Sequence, residues 1–336
     1  MTLEANKVSD VERPKPVVDT VSVIIVNYNT VEATTACIES VLRTTDERIF
    51  RIIVVDNGSS DGSADALGAA FPQVRVVEAG SNIGFGRAVN LGVREADGDY
   101  VLLLNPDTIA LPVSLNALRQ FARVHTKYGV YGGRTLTPEL TLDPHSCWGK
   151  PTLWSTLCFG LGLSTFFATS PLFDPESLGT WKRNTVREVD IVTGCLLLMR
   201  RDDFLSVGGM DERYFLYGED AEFSLRARSK GFRPVLVPDA VIVHENGGSS
   251  TSSDGSKLSM VMAGKVTLFE SMWQPKNARL GVSLLLIGTA LRATLEVVTG
   301  RSTRPWGGVW KKRSRWLPGY PKAEQLLFGT MHPTKN

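Results

Sequence analysis

Residues 99–108 read DYVLLLNPDT, and this stretch decides the fold. An apolar run from Val101 to Leu104 stops abruptly at Asn105-Pro106-Asp107. Such a run predicts a strand buried on both faces that ends in one carboxylate. In open α/β sheets, ligands sit beyond the carboxyl ends of the strands. A carboxylate at that point can hold a divalent cation, and the cation can hold a diphosphate.

Working outward, VSVIIV at 21–26 is a second apolar, β-branched run. A helical pattern follows, with Cys37, Ile38, Val41 and Leu42 on one face, and then a strand, RIIVVD, at 51–56. After the turn NGSSDGS (57–63) come a helix near 64–70, a strand at 74–78 and a helix near 85–95. This β-α alternation predicts an α/β fold with a mostly parallel, doubly wound sheet. Pro112 suits the first turn of a further helix, with Leu115, Leu118, Phe121 and Ala122 facing the core. Residues 135–185 break the rhythm and carry a greasy stretch, FGLGLSTFFATSPLF (159–173), which reads either as a functional loop or as packed core. Regularity returns with a strand in VDIVTGCLLLMRR (189–201) and a helix from 219 to 230 closed by Gly231. One or two short strands follow in PVLVPDAVIVH (234–244).

Hydrophobic content of 43% and charged content of 21% are those of a globular protein. The net charge is only +2, but from Lys265 onward 12 Lys/Arg face 3 Asp/Glu. A basic end of that kind predicts a polyanionic partner. The apolar run 280–291 (LGVSLLLIGTAL) holds 12 residues, too few for a bilayer span. WKKRSRW (310–316) interleaves cations with tryptophan. Together they predict an interfacial anchor on an anionic membrane surface rather than a transmembrane helix or a nucleic-acid site. Cys37, Cys147, Cys158 and Cys195 are widely spaced, so neither a zinc site nor a disulfide framework is indicated. The first 20 residues are polar, without an apolar signal core, and read as a disordered lead-in.

Four positions stand out as chemistry-bearing. Asp56 ends a strand, Asp107 follows another, Glu219-Asp220 open a helix and His244 ends the last strand. Each alone reads equally well as a turn former, an N-cap or a structural histidine. Taken in order, and with SNIGFGRAVNLG (81–92), LLLNPD (102–107) and YFLYGEDAEFSLRARSKGF (214–232), they resemble glycosyltransferase family 2, in its rhamnosyltransferase-like branch. The resemblance spans about residues 21–250.

That resemblance implies a GT-A fold, with residues 21–134 as the nucleotide-sugar half and 135–264 as the acceptor half. Residues 265–336 would then be a basic, helical, membrane-associating tail. It implies that Asn27, Tyr28 and Asn29 lie under the nucleotide and that Asp56, with Asn57, meets the N3–H of uracil or thymine. Asn82, Gly84 and Phe85 would line the pocket, and Arg87 would reach a phosphate. Asp107 occupies the last position of the family's metal-binding acidic motif. Its first position here is Asn105, a neutral and poorer ligand. His244 matches a further metal ligand, so the implied cofactor is Mn2+ or Mg2+, with imidazole mildly favouring manganese. Asp220 matches the general base and Glu219 its neighbour. Gly194 and Cys195 would lie beneath the acceptor sugar. Trp148, with Trp154 and Trp181, offers rings for stacking on it.

The expected reaction is an inverting transfer. One base and one displacement invert the anomeric centre, whereas a covalent route needs a second carboxylate across the sugar, which the sequence does not mark. The implied donor is dTDP-L-rhamnose, with UDP-galactofuranose, UDP-hexose or UDP-N-acetylhexosamine as alternatives. The implied acceptor is a lipid-linked saccharide at the cytoplasmic face of the cell membrane, and homo-oligomerisation is left open. A sugar-nucleotide pyrophosphorylase would want a Gly-rich loop with a phosphate-binding Lys near the first strand, and NYNTVEATT (27–35) offers neither. A non-catalytic binding module is supported by Asn105 alone.

Overall fold

The computed structural model describes residues 19–245, 255–300 and 303–329. The expected lead-in therefore lies almost wholly outside the described residues. The N-terminal half runs β1 (Val21–Asn27), α1 (Val31–Thr44), β2 (Phe50–Asp56), α2 (Ser63–Ala70), β3 (Arg75–Glu78), α3 (Phe85–Arg94) and β4 (Tyr100–Leu104). All four strands are parallel, in the order β3-β2-β1-β4. All seven residues of β1 are buried, because helices cover both faces of the sheet. Alternation then splits the strands between two cores. Val23, Ile25, Leu102 and Leu104 pack with α1, while Ile24, Val26, Val101 and Leu103 pack with α3.

Beyond β4 the sheet is mixed. β5 (Thr108–Ala110) and α4 (Ser114–Val124) lead to β6 (Val130–Leu136), a short β7 (Leu142–Asp143) and β8 (Cys147–Trp148). The segment expected to be irregular holds α5 (Leu153–Gly160) and the single turn α6 (Leu163–Phe166). The chain then forms β9 (Arg187–Glu188), β10 (Ile191–Val192), β11 (Leu196–Arg200), α7 (Arg201–Val207), α8 (Glu219–Ser229) and β12 (Pro234–His244). β11 runs antiparallel between β4 and β6, and β12 lies parallel to β6 and antiparallel to β5. The single strand expected over 189–201 is thus two. β10 pairs with β8 in a separate ribbon, and the chain turns at 193–195 before β11 joins the main sheet. β12 is one 11-residue strand, kept continuous by a bulge between Val237 and Val241.

The C-terminal helices are α9 (Ser256–Met272), α10 (Pro275–Val298), α11 (Pro305–Lys311), α12 (Arg313–Trp316) and α13 (Lys322–Phe328). The boundary expected at residue 265 falls inside α9. These helices are not an appended tail either. Val266, Phe269, Leu285, Trp316 and Tyr320 form a third core with Tyr214 and Phe215 of the α/β domain. The Tyr320 hydroxyl donates to the Leu216 carbonyl at 2.9 Å. Trp316, expected at a membrane interface, is buried, and its indole N–H donates to Val309 O at 3.0 Å. The apolar run 280–291 lies within a 24-residue helix that is long and apolar enough to cross a bilayer by length and composition, but 44% of that window is buried in the protein.

Candidate active site

The carboxyl ends of β1 and β2 carry the first cluster. Their register sets Asn27 beside Asp56. Asn27 Nδ2 donates to Asp56 Oδ1 at 2.8 Å, and the Ser59 amide donates to Oδ2 at 3.0 Å. The turn after β2 is locked to the loop before α3. Asn57 Nδ2 donates to Asn82 Oδ1 at 3.1 Å, and Asn57 Oδ1 accepts from the Ile83 amide at 3.0 Å. Gly58 is required here, since at φ +77° a Cβ would lie 2.4 Å from the backbone carbon of Ser81. Asn29 adopts φ +53°, a conformation asparagine tolerates, and its side-chain oxygen accepts from the Ser60 amide at 2.7 Å. Tyr28 beside it is exposed. Gly84 and Phe85 open α3 against the 215 loop, with the Phe85 amide donating to Phe215 O at 2.8 Å. A Cβ on Gly84 would sit 2.7 Å from that same carbonyl.

The second cluster surrounds His244. β12 and β5 pair His244 with Thr108, which places the imidazole beside Asp107. His244 Nε2 lies 3.3 Å from Asp107 Oδ1, and Nδ1 lies 3.4 Å from Asp143 Oδ2. Burial alone would lower the imidazole pKa, but hydrogen bonds to Asp107 and Asp143, and their charges, carry it up to about 9. The two carboxylates therefore favour the protonated imidazole. Asp143 was missed in the sequence. It is buried, caps the short turn at 144–146 and also hydrogen-bonds His145 Nδ1. Its only sequence signal is Asp-Pro-His, which reads as a helix start.

The third cluster opens α8. Asp220 Oδ1 accepts from the Ala221 amide at 2.7 Å, and Oδ2 accepts from the Gly194 amide at 3.3 Å. The turn at 193–195 that splits the expected strand is what presents this amide. The β4–β11 register brings Cys195 beside Asn105, whose amide donates to Cys195 O at 3.3 Å. Burial raises the Cys195 thiol to about 12 against its contact with Thr193, and the charges of Asp220, Asp143 and Asp107 push it the same way. Gly194 faces Phe85, with a Cβ position 3.3 Å from the ring, and Gly86 faces Glu219. The α8 start follows Tyr217 at φ +67° and Gly218 at φ +106°, a strained approach of the kind found at functional sites.

Several polar and aromatic side chains have partners within the protein. Arg87 does not point to a phosphate site, and it is not an exposed charge. It is buried, donates to Ile83 O at 2.8 Å and pairs with Glu324 of α13 at 3.2 Å. The reason is that α13 supplies the buried carboxylate that α3 faces. Arg226 is structural, bound to Glu222 and to the carbonyls of Val207 and Gly209. Trp148 is half-buried in β8 and meets the His145 ring edge-on at 5.4 Å. Trp181 has the Arg187 guanidinium over its ring at 4.8 Å. Trp154 is exposed and tied by its indole N–H to Leu172 O.

Glu219 is buried, and among the described residues its Oε2 has no hydrogen-bond partner. Burial, then the adjacent charge of Asp220, raises its pKa well above the carboxylate range. The folded state therefore holds a proton that the unfolded chain releases, so stability falls as pH rises from the ordinary Glu range through the raised value. Glu219→Gln is expected to stabilise the protein by about 1–3 kcal/mol above neutral pH and by little under acid conditions. Melting curves at acid and mildly alkaline pH check this, and an equal shift at both would contradict it.

A mostly parallel sheet with Asp56 and Asp107 at its carboxyl ends, crossed by an antiparallel strand and a helix bearing Glu219-Asp220, defines a GT-A glycosyltransferase. The profile of Glycosyl transferase family 2 matches residues 22–167, and that of the N-terminal domain of galactosyltransferase matches residues 182–244. The chain is 32% identical over 226 residues to the N-acetylglucosaminyl-diphospho-decaprenol L-rhamnosyltransferase of Mycobacterium tuberculosis, covering 63% of this chain and 72% of that one. It is 31% identical over 175 residues to the rhamnosyltransferase WbbL of Escherichia coli K12, covering 49% and 62%. The solved mannosyltransferase PcManGT from Pyrobaculum calidifontis, in complex with GDP-Man and Mn2+, superposes with a TM-score of 0.54 at 17% identity, covering 95% of this chain and 92% of that one. The chain belongs to glycosyltransferase family 2 and is a glycosyltransferase.

Proposed function

We propose that this enzyme transfers L-rhamnose from dTDP-L-rhamnose to a polyprenyl-diphosphate-linked saccharide, with inversion, at the cytoplasmic face of the cell membrane. The observation that carries the reading is that His244 Nε2 lies 3.3 Å from Asp107 beyond the strand ends, while Asp220 at the start of α8 accepts from the Gly194 amide. The similarity to two proteins named rhamnosyltransferases supports the donor sugar. The mycobacterial relative's name supports a lipid-diphosphate acceptor bearing N-acetylglucosamine.

In this reading Asn27, Tyr28 and Asn29 floor the nucleotide. Asp56, held by Asn27 and the Ser59 amide, accepts from the base N3–H, a donor that uracil and thymine share. Asn57, Asn82, Gly84 and Phe85 form the rigid wall of the same pocket. Asp107 and His244 are the side chains fitted to a divalent cation, Mn2+ or Mg2+. Asp143 on Nδ1 fixes the imidazole so that Nε2 faces Asp107, an arrangement typical of metal-binding histidines. Among the described residues no group of three or more His, Cys, Asp or Glu encloses a metal, so the donor diphosphate and water would complete the shell. A bound cation neutralises charge on the departing nucleotide diphosphate. Asp220 takes the proton of the acceptor hydroxyl as that oxygen attacks the anomeric carbon. Gly194 and Cys195 support the acceptor sugar, and Trp148 borders it.

Asp143→Asn is expected to weaken Mn2+ binding by roughly 10–100-fold in the presence of dTDP. Calorimetry measures this directly, and unchanged affinity would remove Asp143 as the orienting group. The deciding experiment is a screen of dTDP-L-rhamnose, UDP-galactofuranose, UDP-hexoses and UDP-N-acetylhexosamines against polyprenyl-diphosphate N-acetylglucosamine, with product analysis. Transfer from a UDP-sugar and none from dTDP-L-rhamnose would overturn the donor assignment.

A further inference from the structure

The helix α10 is inside out for a surface helix of a water-exposed domain. The two charged residues of its C-terminal half, Arg292 and Glu296, point inward. Arg292 is buried against Phe159 and donates to the Phe159 carbonyl at 2.7 Å and to Thr165 Oγ1 at 2.7 Å. Glu296 is buried and accepts from the Trp306 and Gly307 amides. The outward face presents Leu280, Ile287, Leu291 and Leu295, with Ile287 52% exposed. Leu284 and Leu285 fill the inward face as usual, but an outward face of aliphatics beside inward charges departs from the usual amphipathic order.

The exposed apolar surface continues onto α6. A Cβ built on Gly162 would lie 3.1 Å from Leu291 and 3.7 Å from Phe166, so these side chains adjoin. Phe166 is 72% exposed and Leu161 is 54% exposed. Residues 151–173 carry no charge at all. Isolated exposed leucines are ordinary, but a contiguous patch of this kind marks an interaction surface.

The charges around the patch identify what covers it. In the described residues from 271 onward the two acidic side chains, Glu296 and Glu324, are both buried. The cations are outside, with Lys276 and Arg279 at one end of α10 and Arg304, Lys311, Arg313 and Arg315 beyond the other. An apolar face on a helix with exposed cations before and after it, and whose own acid is buried, complements a bilayer with anionic headgroups. We infer that the α6–α10 face inserts into the interface of an anionic membrane, with these cations at headgroup level. The inference rests on the membrane location proposed above and moves the apolar contact from WKKRSRW, whose Trp316 is buried, to α6 and α10.

The test is sedimentation of the full chain with vesicles of phosphatidylglycerol and phosphatidylcholine. The triple substitution Phe166→Glu, Ile287→Glu and Leu291→Glu is expected to weaken partitioning roughly a hundredfold or more. Lys276→Glu with Arg279→Glu is expected to weaken it about tenfold or more on anionic vesicles and not on neutral ones. Wild-type protein that stays in the supernatant, or a triple variant that partitions like wild type, overturns the inference. So does a wild-type dimer in light scattering that the triple variant dissociates, since a second copy then covers the face. Should the triple variant not fold, quenching by brominated lipids of Trp154, exposed beside Phe173 in the same uncharged segment as Phe166, is read as wild type minus Trp154→Phe and tests insertion of that segment. Quenching is expected there, and its absence overturns the inference. Nucleotide binding by the same samples separates this outcome from failure of the transferase reading, which would abolish binding in wild type whatever the vesicles show.

Discussion

Asp220→Asn is expected to slow transfer by roughly 10²–10⁴-fold while leaving nucleotide affinity unchanged. The carboxylate is held in place by the Ala221 and Gly194 amides, so each oxygen has one backbone donor and spare lone pairs for an incoming proton. An amide keeps the shape and loses the basicity. The nucleotide site proposed above is assigned to other residues, around Asp56, Asn57 and Asn82. The loss should therefore appear in kcat, and dTDP binding by calorimetry should match wild type. Turnover within a few-fold of wild type would remove Asp220 as the base. Loss of dTDP binding would instead indicate that the α8 start holds the pocket together.

Glu324→Ala is expected to destabilise the protein by about 3–5 kcal/mol. Arg87 and Glu324 are both buried, with side chains 7% and 0% exposed, and their pairing crosses from α3 to α13. Removing the carboxylate leaves a guanidinium in an apolar setting with the Ile83 carbonyl as its remaining partner. The pair is itself imperfectly satisfied, since among the described residues Arg87 Nε and Glu324 Oε1 have no hydrogen-bond partner. Replacing both residues by apolar ones, Arg87→Met with Glu324→Leu, should therefore cost far less than Glu324→Ala, or even stabilise. Chemical denaturation of the three proteins checks both statements. A single substitution costing under about 1 kcal/mol would show that the C-terminal helices are not fastened to α3 through this pair. Because Arg87 lies in the first turn after Gly84-Phe85, Glu324→Ala should also weaken nucleotide binding.

The parallel half of the sheet was legible because its signals are local. VSVIIV, RIIVVD and YVLLL are apolar on both faces, and Asp56 and Asp107 follow directly from where those runs stop. The helix at 219 was legible from its acidic first turn and Gly231. Other features were hidden because the partner that decides them is remote in sequence. Arg87 reads as a phosphate contact until α13 brings Glu324 against it, 237 residues away. Asp143 sits in a two-residue strand with no periodic signal, and only β6 pairing places it on His244. Residues 189–201 read as one strand because both pieces are apolar, and only pairing shows that Thr193, Gly194 and Cys195 form the turn facing Asp220.

The C-terminal third shows the same division most clearly. Composition alone established that it is basic and apolar by turns, and that pointed to an anionic surface. It did not establish which way each side chain faces. Arg292 and Glu296 read as interruptions of a greasy run, yet they are the inward, hydrogen-bonded residues of α10, and Trp316 is core. By itself the sequence determined the β-α alternation, the strand ends bearing Asp56 and Asp107, and the helix start at Glu219-Asp220, because hydrophobic period and capping act over a few residues. Only the tertiary structure decided that Asp143 supports His244, that Arg87 is spent on Glu324, and that α6 and α10 turn their aliphatic faces outward. Burial, pairing and charge neutralisation depend on which distant segments meet.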